Sequence, residues 1–467
     1  MNPDLIQNSA VELAAAIASG VVSSAEVVSA HLDRIDEVNG DINAIISMRS
    51  REEIMADAET ADAVDGEGPL HGLPIAVKDL EDVAGLPTRA GSLVSSDQPV
   101  VSDGYVAAKL RAAGAIIIGK TNTPEFGTGC HTFNEVFGVT RNPWNLDRIS
   151  GGSSGGAAAA LSARMLPIAD GSDLGGSLRN PASMCSVVGM RPSIGRVAEP
   201  LATSTHLRLG VSGPMGRTVA DTSLLMSAMA GPDDRDPWSL PEPGSVFAGP
   251  LPTTTSAKVA WGGNLGLLEC DAEVLMLGEA AARTVQSVGG SFAEDHPDIE
   301  HAEYVFRVLR GLGYARNAAL IPDDMYPLVK GTVRENIEYG RTLTTEDLFL
   351  AERQRADLHR TMSAFFDEYD VLAMPAAQVP AFPVETEFLT EINGVAMPDY
   401  LGWMMAACII TPTGCPSICI PAGFTSEGLP VGLQLVTRAG QDRELFEIAS
   451  AMEAANPQHH LSPAISR

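Results

Sequence analysis

The feature that most constrains this chain is a pair of glycine- and serine-rich segments, GGSSGGAAAA at residues 151–160 and DGSDLGGSLRNPAS at residues 170–183. Such a composition is typical of a flexible linker. It also fits a tight turn, because consecutive glycines let neighbouring backbone N–H groups point toward one spot, as an oxyanion hole requires. A serine nucleophile needs such a hole. The two segments offer five candidate serines: Ser153, Ser154, Ser172, Ser177 and Ser183.

Composition and charge exclude several classes of protein. The chain has 467 residues, of which 45% are hydrophobic and 19% charged, so it can bury a large core. Its net charge of −28 argues against a nucleic-acid or membrane surface, since both need clustered Lys and Arg. The sequence has neither a signal peptide pattern nor a long uncharged apolar run, so we expect a cytoplasmic protein that binds small molecules.

The cysteines give no sign of a metal site or of disulfides. They form no C-x-x-C pair and have no histidine at zinc spacing. We therefore expect no metal and six small buried side chains in a reducing compartment: Cys130, Cys185, Cys270, Cys408, Cys415 and Cys419.

The hydrophobic pattern predicts an α/β fold. Capping boxes at Ser9 and Ser23 open two amphipathic helices near the N-terminus. The runs GLPIAVKDL and AIIIGK read as buried strands on either side of a helix, YVAAKLRAAG. This order predicts a mixed central sheet covered by helices on both faces.

We expect one domain over residues 1–467, divided into four regions. Residues 1–65 are the helical N-terminal region, and residues 66–232 are the catalytic core. Residues 233–396, richer in charged residues, are predicted to be a mainly helical insertion. Residues 397–467 return to the core, because CPSICIPAGF and LPVGLQLV are again strand-like.

Lys78, at the end of the apolar run LPIAVK, is the candidate base. A lysine at a strand end most often marks the exit into solvent. A lysine held in an apolar site can instead lose its proton near neutral pH and act as a base. Both interpretations stand at this point, and His131 is the one histidine close in sequence to either serine segment.

Several segments resemble the amidase signature family. GLPIAVKDL, the stretch from GGSSGG through GMRPSIGRV, and GPMGRTVAD look like its successive blocks, and CPSICIPAGFTSEGLPVGLQLV resembles its C-terminal block. The resemblance runs from about residue 5 to residue 455. It implies the family's amidase signature fold and its triad of lysine, cis-serine and serine, which corresponds to Lys78, Ser153 and Ser177.

The resemblance also implies a mechanism and no cofactor. Neutral Lys78 and Ser153 would relay a proton from Ser177, whose oxygen attacks the amide carbonyl to give an acyl-enzyme. The residues expected to hold the oxyanion are Leu174, Gly175 and Gly176, together with the N–H of Ser177 itself. The residues expected to support the turn are Ser154, Ser172, Asp173 and Arg179. The residues expected to line the substrate pocket are Gly129, Cys130, His131, Arg208 and Trp403.

The substrate stays open at this stage. The resemblance implies hydrolysis of an amide C–N bond, with anilides, nylon-type oligomers and carbamates or urethanes as alternatives. Two segments are candidates for specificity, EPLATSTHLRLG with His206 and PDYLGWMMAACII with its aromatic and Met-rich face. The competing function is the glutaminase component of a tRNA-dependent amidotransferase. The assembly is also open, with a homodimer as one alternative.

Overall fold

The computed structural model describes residues 5–64, 66, 68–200 and 208–466. His206, from one of the two candidate specificity segments, lies outside the described residues. The helices are α1 (Ala10–Ala18), α2 (Ser24–Ile42), α3 (Arg51–Asp62), α4 (Tyr105–Ala112), α5 (Gly155–Ser162), α6 (Arg179–Cys185), α7 (Val219–Met229), α8 (Ala272–Arg283), α9 (Ala302–Asn317), α10 (Gly331–Thr342), α11 (Thr345–Phe365), α12 (Met405–Cys408) and α13 (Asp442–Ala455).

The strands form one large sheet and several small ones. They are β1 (Ile45–Ile46), β2 (Pro74–Lys78), β3 (Ile116–Thr121), β4 (Phe133–Asn134), β5 (Gly138–Val139), β6 (Arg141–Asn142), β7 (Asn145–Ile149), β8 (Ile168–Asp173), β9 (Val188–Arg191), β10 (Val211–Gly216), β11 (Lys258–Trp261), β12 (Ser291–Glu294), β13 (Val371–Pro375), β14 (Glu391–Ile392), β15 (Val395–Ala396), β16 (Ser417–Phe424) and β17 (Pro430–Val436).

The large sheet has eight strands in the order β12-β11-β13-β17-β16-β9-β10-β8. Strand β11 is parallel to both β12 and β13, and the remaining neighbours are antiparallel. The sheet is therefore mixed, as the sequence predicts. Strand β13 shows how both faces are covered: Val371 and Ala373 belong to one apolar cluster, and Leu372 and Met374 to another. Alternate side chains of a strand point to opposite faces, so apolar packing lies on each side.

Strands β2 and β3 pair in parallel, as two strands joined by a helix are expected to, but they belong to a separate three-stranded sheet with β1. This small sheet lies beside the edge strand β8. The backbone N–H of Lys78, at the end of β2, donates to Oδ1 of Asp170 on β8 at 2.9 Å. The side-chain hydrogen bond places the end of β2 against β8.

The two N-terminal capping boxes are confirmed. In α1 and α2, the serine side chain accepts from the N–H three residues on, and the glutamate there accepts from the serine N–H. The segment GGSSGGAAAA is not a linker, because it forms the start of α5, all of whose residues are buried. A Cβ on Gly156 would lie 2.4 Å from the backbone nitrogen of Asn122, so only glycine allows α5 to pack this closely.

The segment 233–396, predicted to be a mainly helical insertion, contains helices α8 to α11 and also strands β11, β12 and β13 of the large sheet. These strands are not anticipated from the sequence. KVAW and SFAE are only four residues long, and a run of that length gives almost no periodicity.

All six cysteines are free and buried, as predicted. Burial raises the pKa of each thiol, for example to about 12 in Cys408 and about 11 in Cys415. Within the described ranges, no helix has both the length and the apolar content needed to cross a membrane.

Candidate active site

Lys78 is buried, with only 1% of its surface exposed, and its amine contacts three serines. Its Nζ lies 2.8 Å from Oγ of Ser153, 2.9 Å from Oγ of Ser154 and 3.1 Å from Oγ of Ser172. Lys78 is the last residue of strand β2, whose five residues are all buried. Because this strand ends beside β8, the lysine side chain lies inside the protein next to the serines. Of the two interpretations of Lys78, the structure favours the buried amine over the solvated one.

The environment of Lys78 shifts its pKa. Burial lowers the pKa of the amine from 10.5 to about 7, against the charges of Asp170 and Asp173, which raise it. Burial also raises the pKa of the Asp170 carboxyl to about 6, although its hydrogen bond from the Lys78 N–H and the lysine charge oppose this. A substantial fraction of Lys78 is therefore neutral near pH 7.

Ser153 and Ser154 lie at the turn that leads into α5. The Gly152–Ser153 peptide bond is cis. Gly151 has a φ of +76°, and a Cβ there would come 2.7 Å from Cα of Pro181, so this turn requires glycine. The N–H of Ser154 donates to the carbonyl oxygen of Ser177 at 3.1 Å, which joins the two serine segments.

Asp173 organises the second segment. Its carboxylate accepts from the N–H of Gly176 at 2.9 Å and of Leu178 at 3.1 Å, and from the guanidinium of Arg179 at 2.8 and 3.0 Å. Arg191 donates to the Asp173 carbonyl. Burial opposes ionisation of Asp173, but Arg179, Arg191 and these hydrogen bonds hold its pKa well below the usual range.

Among the residues expected to hold the oxyanion, Gly176 differs from Leu174, Gly175 and Ser177. Its N–H already donates to Asp173, and Gly176 does not line the cavity beside the serines. Leu174, Gly175 and Ser177 do line it, and their N–H groups have no hydrogen-bond acceptor among the described residues. These three N–H groups, which lie in the second serine segment, are therefore free to bind an oxyanion.

The cavity itself has a volume of about 210 Å³ and contains both Ser153 and Ser177. Its polar wall includes Ser172 and Asp173. Its apolar wall comes from separate parts of the chain: Leu80, Phe126, Leu174 and Met404.

Of the five residues expected to line the substrate pocket, the structure brings only Gly129 to this cavity. Cys130 and His131 follow Gly129 in the sequence and are buried, but they do not line the cavity. The imidazole of His131 packs on Phe133 instead, with ring centres 4.7 Å apart. Trp403 is buried against Phe382. Arg208 lines a different cavity and is paired with Asp236 at 2.7 Å.

The polar cavity residues that are not identified from the sequence are Arg310 and Tyr314 on α9. Oη of Tyr314 lies 2.7 Å from Oγ1 of Thr128, and the Arg310 guanidinium donates to the same hydroxyl at 3.1 Å. Both residues come from the segment that is predicted to be an insertion. No local pattern distinguishes them from the other polar residues of α9.

Comparisons with known proteins show the family of this chain. A family model described as Amidase matches residues 26–446. An acylamidase of Rhodococcus erythropolis is 35% identical over 465 residues, 98% of this chain and 97% of the relative. A glutamyl-tRNA(Gln) amidotransferase subunit of Thermus thermophilus is also 35% identical, over 96% of this chain and 98% of the relative.

A solved structure shares the whole fold. It is a bacterial aryl acylamidase of the amidase signature family, 27% identical to this chain, with a TM-score of 0.88 and coverage of 97% of both chains. The family model spans most of the chain, and the relatives align over nearly all of it. The chain therefore belongs to the amidase signature family and is a hydrolase that acts on amide bonds.

Proposed function

We propose that this enzyme hydrolyses a carboxylic amide through an acyl-enzyme on Ser177, with Ser153 and neutral Lys78 as the proton relay. The observation that carries the proposal is the buried amine of Lys78, 2.8 Å from Oγ of Ser153 and with a pKa lowered by burial to about 7. A neutral amine has one lone pair and two N–H groups. The lone pair can accept the Ser153 proton while the two N–H groups donate to Ser154 and Ser172.

The relay balances in protons and bonds. Lys78 takes the proton of Ser153, Ser153 takes that of Ser177, and the Ser177 oxygen bonds to the carbonyl carbon. The N–H groups of Leu174, Gly175 and Ser177 stabilise the resulting oxyanion. The C–N bond then breaks as Ser153 gives a proton to the leaving nitrogen and recovers one from Lys78. Water attacks the acyl-enzyme by the same relay and restores Ser177.

We infer that the substrate is a small amide with an apolar or aryl group, such as an anilide or an aryl carbamate. The support is the apolar wall of Leu80, Phe126, Leu174 and Met404 in a cavity of about 210 Å³. The name of the aryl acylamidase structure points to the same class. Urethane cleavage follows from the same chemistry, because a carbamate also presents a carbonyl carbon bonded to nitrogen.

The test is a panel of an anilide, an aliphatic amide, an aryl carbamate and glutamine, with purified protein. We expect turnover of the anilide or the carbamate, and at least a thousandfold loss in Ser177→Ala and Lys78→Met. Ser183→Ala is the control. Ser183 is buried in the same segment, but its hydroxyl accepts from the N–H of Gly432 at 2.8 Å rather than facing the cavity. Retained turnover in Ser177→Ala would overturn the proposal.

The second candidate function is that of a glutaminase in an amidotransferase, which the Thermus thermophilus relative favours by its identity and coverage. That relative is named as one component of an amidotransferase. Glutaminase activity alone, or activity that requires added partner proteins, would favour this candidate. Hydrolysis of an anilide by the chain alone, with no glutaminase activity, would exclude it.

A further inference from the structure

Arg310 is a buried cation in the wall of the candidate active site. It lies in the middle of α9, is 5% exposed and lines the cavity that contains Ser153 and Ser177. A guanidinium stays charged in proteins, so burial of this side chain places a full positive charge beside the cavity. Burying a charge is costly unless a partner compensates for it.

The partners of Arg310 are neutral. Its guanidinium donates to Oδ1 of Asn336 and to the hydroxyl of Tyr314, and it lies over the Tyr314 ring, 4.4 Å from the ring centre. Over the described ranges, no carboxylate forms an ion pair with it. The guanidinium also has a side-chain hydrogen bond to the neutral Tyr400. Three of its five N–H groups are therefore used by Asn336, Tyr314 and Tyr400, which leaves two donors for another acceptor.

Two arginines close to Arg310 have acidic partners. Arg307, one turn before it on α9 and partly buried, pairs with Glu303 at 2.7 Å and with Asp399. Arg179, which is fully buried beside the serines, pairs with Asp173 at 2.8 Å. Arg310 differs from both, because its charge is buried without a carboxylate of the protein against it.

The whole chain carries a net charge of −28, yet the carboxylates at the cavity have cationic partners. Asp173, the acidic residue among the described residues that line the cavity, faces the guanidinium groups of Arg179 and Arg191. Asp170, outside the lining, lies beside Lys78. Arg310 lines the cavity without a carboxylate partner in the described part of the chain. An anionic group in the cavity would complete this arrangement.

We propose that Arg310, with the hydroxyl of Tyr314, binds a carboxylate of the substrate, so that the preferred substrates are amides carrying a negative charge. This inference rests on the proposed amidase function and names its substrate class. A guanidinium recognises a carboxylate through paired charge-assisted hydrogen bonds. In a buried site such bonds discriminate strongly against a neutral group of the same size.

The experiment compares matched anionic and neutral substrates. On the acyl side, the pair is succinyl and pentanoyl para-nitroanilide. On the amine side, the pair is the acetyl amides of para-aminobenzoate and para-toluidine. We expect the anionic member of one pair to exceed its neutral partner in kcat/KM by about 30-fold, the size of a charge-assisted hydrogen bond. No preference for the anion in either pair would overturn the inference.

Variants separate recognition from structural support. Arg310→Gln removes the charge, and we expect the anionic preference to fall to near unity. Arg310→Lys keeps the charge without the paired donors and retains part of the preference. Arg307→Gln is the control on the same helix, and its preference should equal that of the wild type. If Arg310→Gln lowers kcat/KM equally for the anionic and the neutral member of each pair, Arg310 has a structural role only.

A binding measurement keeps the inference independent of turnover. Succinanilic acid, the succinyl monoanilide, is titrated calorimetrically into Ser177→Ala and into the double variant Ser177→Ala/Arg310→Gln. Binding that weakens about 30-fold in the double variant supports the carboxylate site. Equal binding overturns it. If neutral anilides are hydrolysed without any preference for anions, this inference fails while the proposed amidase function stands.

Discussion

The proton on Lys78 links stability to pH in a way that can be measured without any substrate. Burial lowers the pKa of Lys78 from 10.5 to about 7, although Asp170 and Asp173 act to raise it. Below pH 7 both the folded and the unfolded chain hold this proton, and between pH 7 and 10.5 only the unfolded chain does. Because the unfolded state then binds more protons, the free energy of unfolding rises with pH across this window, by about 1.4 kcal/mol per unit.

The perturbation is Lys78→Met, which removes the titrating group and keeps much of the side-chain length. We expect the difference in unfolding free energy, wild type minus variant, to grow by about 3 kcal/mol between about pH 7.5 and 9.5. Between about pH 5 and 6 the same difference should change far less, by the amount that the loss of the lysine charge moves the titration of Asp170. Urea denaturation followed by the fluorescence of the four tryptophans measures it. Lys258→Met, at an exposed lysine of β11, is the control and should show no such growth.

Catalysis should depend on the same proton. If neutral Lys78 is the base, kcat/KM falls on the acid side of pH 7, by about tenfold at pH 6 and about a hundredfold at pH 5 relative to the plateau. Equal pH dependence of unfolding in the wild type and Lys78→Met from about pH 7.5 to 9.5 would refute the reasoning. Lys78 would then keep its ordinary pKa and could not serve as a base at neutral pH.

Three further predictions rest on particular contacts. Asp170→Asn removes a charge that raises the pKa of Lys78, so the acid limb of kcat/KM should move to lower pH; a shift to higher pH would contradict this. Gly176→Ala should destabilise the chain by at least about 2 kcal/mol more than Gly440→Ala in urea denaturation. Both glycines have positive φ, but only the Cβ at Gly176 would clash, 2.4 Å from a neighbouring methyl, and equal losses would argue against this contact. Ser23→Ala should cost about 1 kcal/mol of stability through the lost cap of α2, and no change would show that the cap is replaced by water.

Much of the fold could be predicted because its signals are local. The capping boxes of α1 and α2, the buried runs of β2 and β3, and the late strands β16 and β17 each have a pattern within one element. The assignment of β2 to a separate small sheet has no such pattern. It depends on which strand edges meet, and that is decided by tertiary packing.

The residues of the candidate site also fall into those with a local sequence signal and those without one. Ser153 and Ser177 lie in segments whose glycine and serine content is distinctive, Lys78 ends a buried apolar run, and the resemblance to a known family indicates the roles of all three. The direction of a loop side chain is not distinctive: Gly129 lines the cavity, whereas Cys130 and His131 next to it do not. For the same reason nothing local separates the cavity arginine of α9 from its ion-paired neighbour one turn away.

The buried thiols make local opening of this protein measurable. Alkylating reagents react with thiolates, and in the closed molecule the thiols are inaccessible and protonated. Each cysteine therefore becomes modifiable only when the structure around it opens. Cys408 donates to the carbonyl of Gly175, which lines the cavity, whereas Cys270 lies just before α8 and does not line the cavity. Their labelling rates can be compared with and without a bound ligand. Slower labelling of Cys408 alone would show that the ligand reduces opening only around the cavity, and slower labelling of both cysteines would show that it reduces opening of the entire chain.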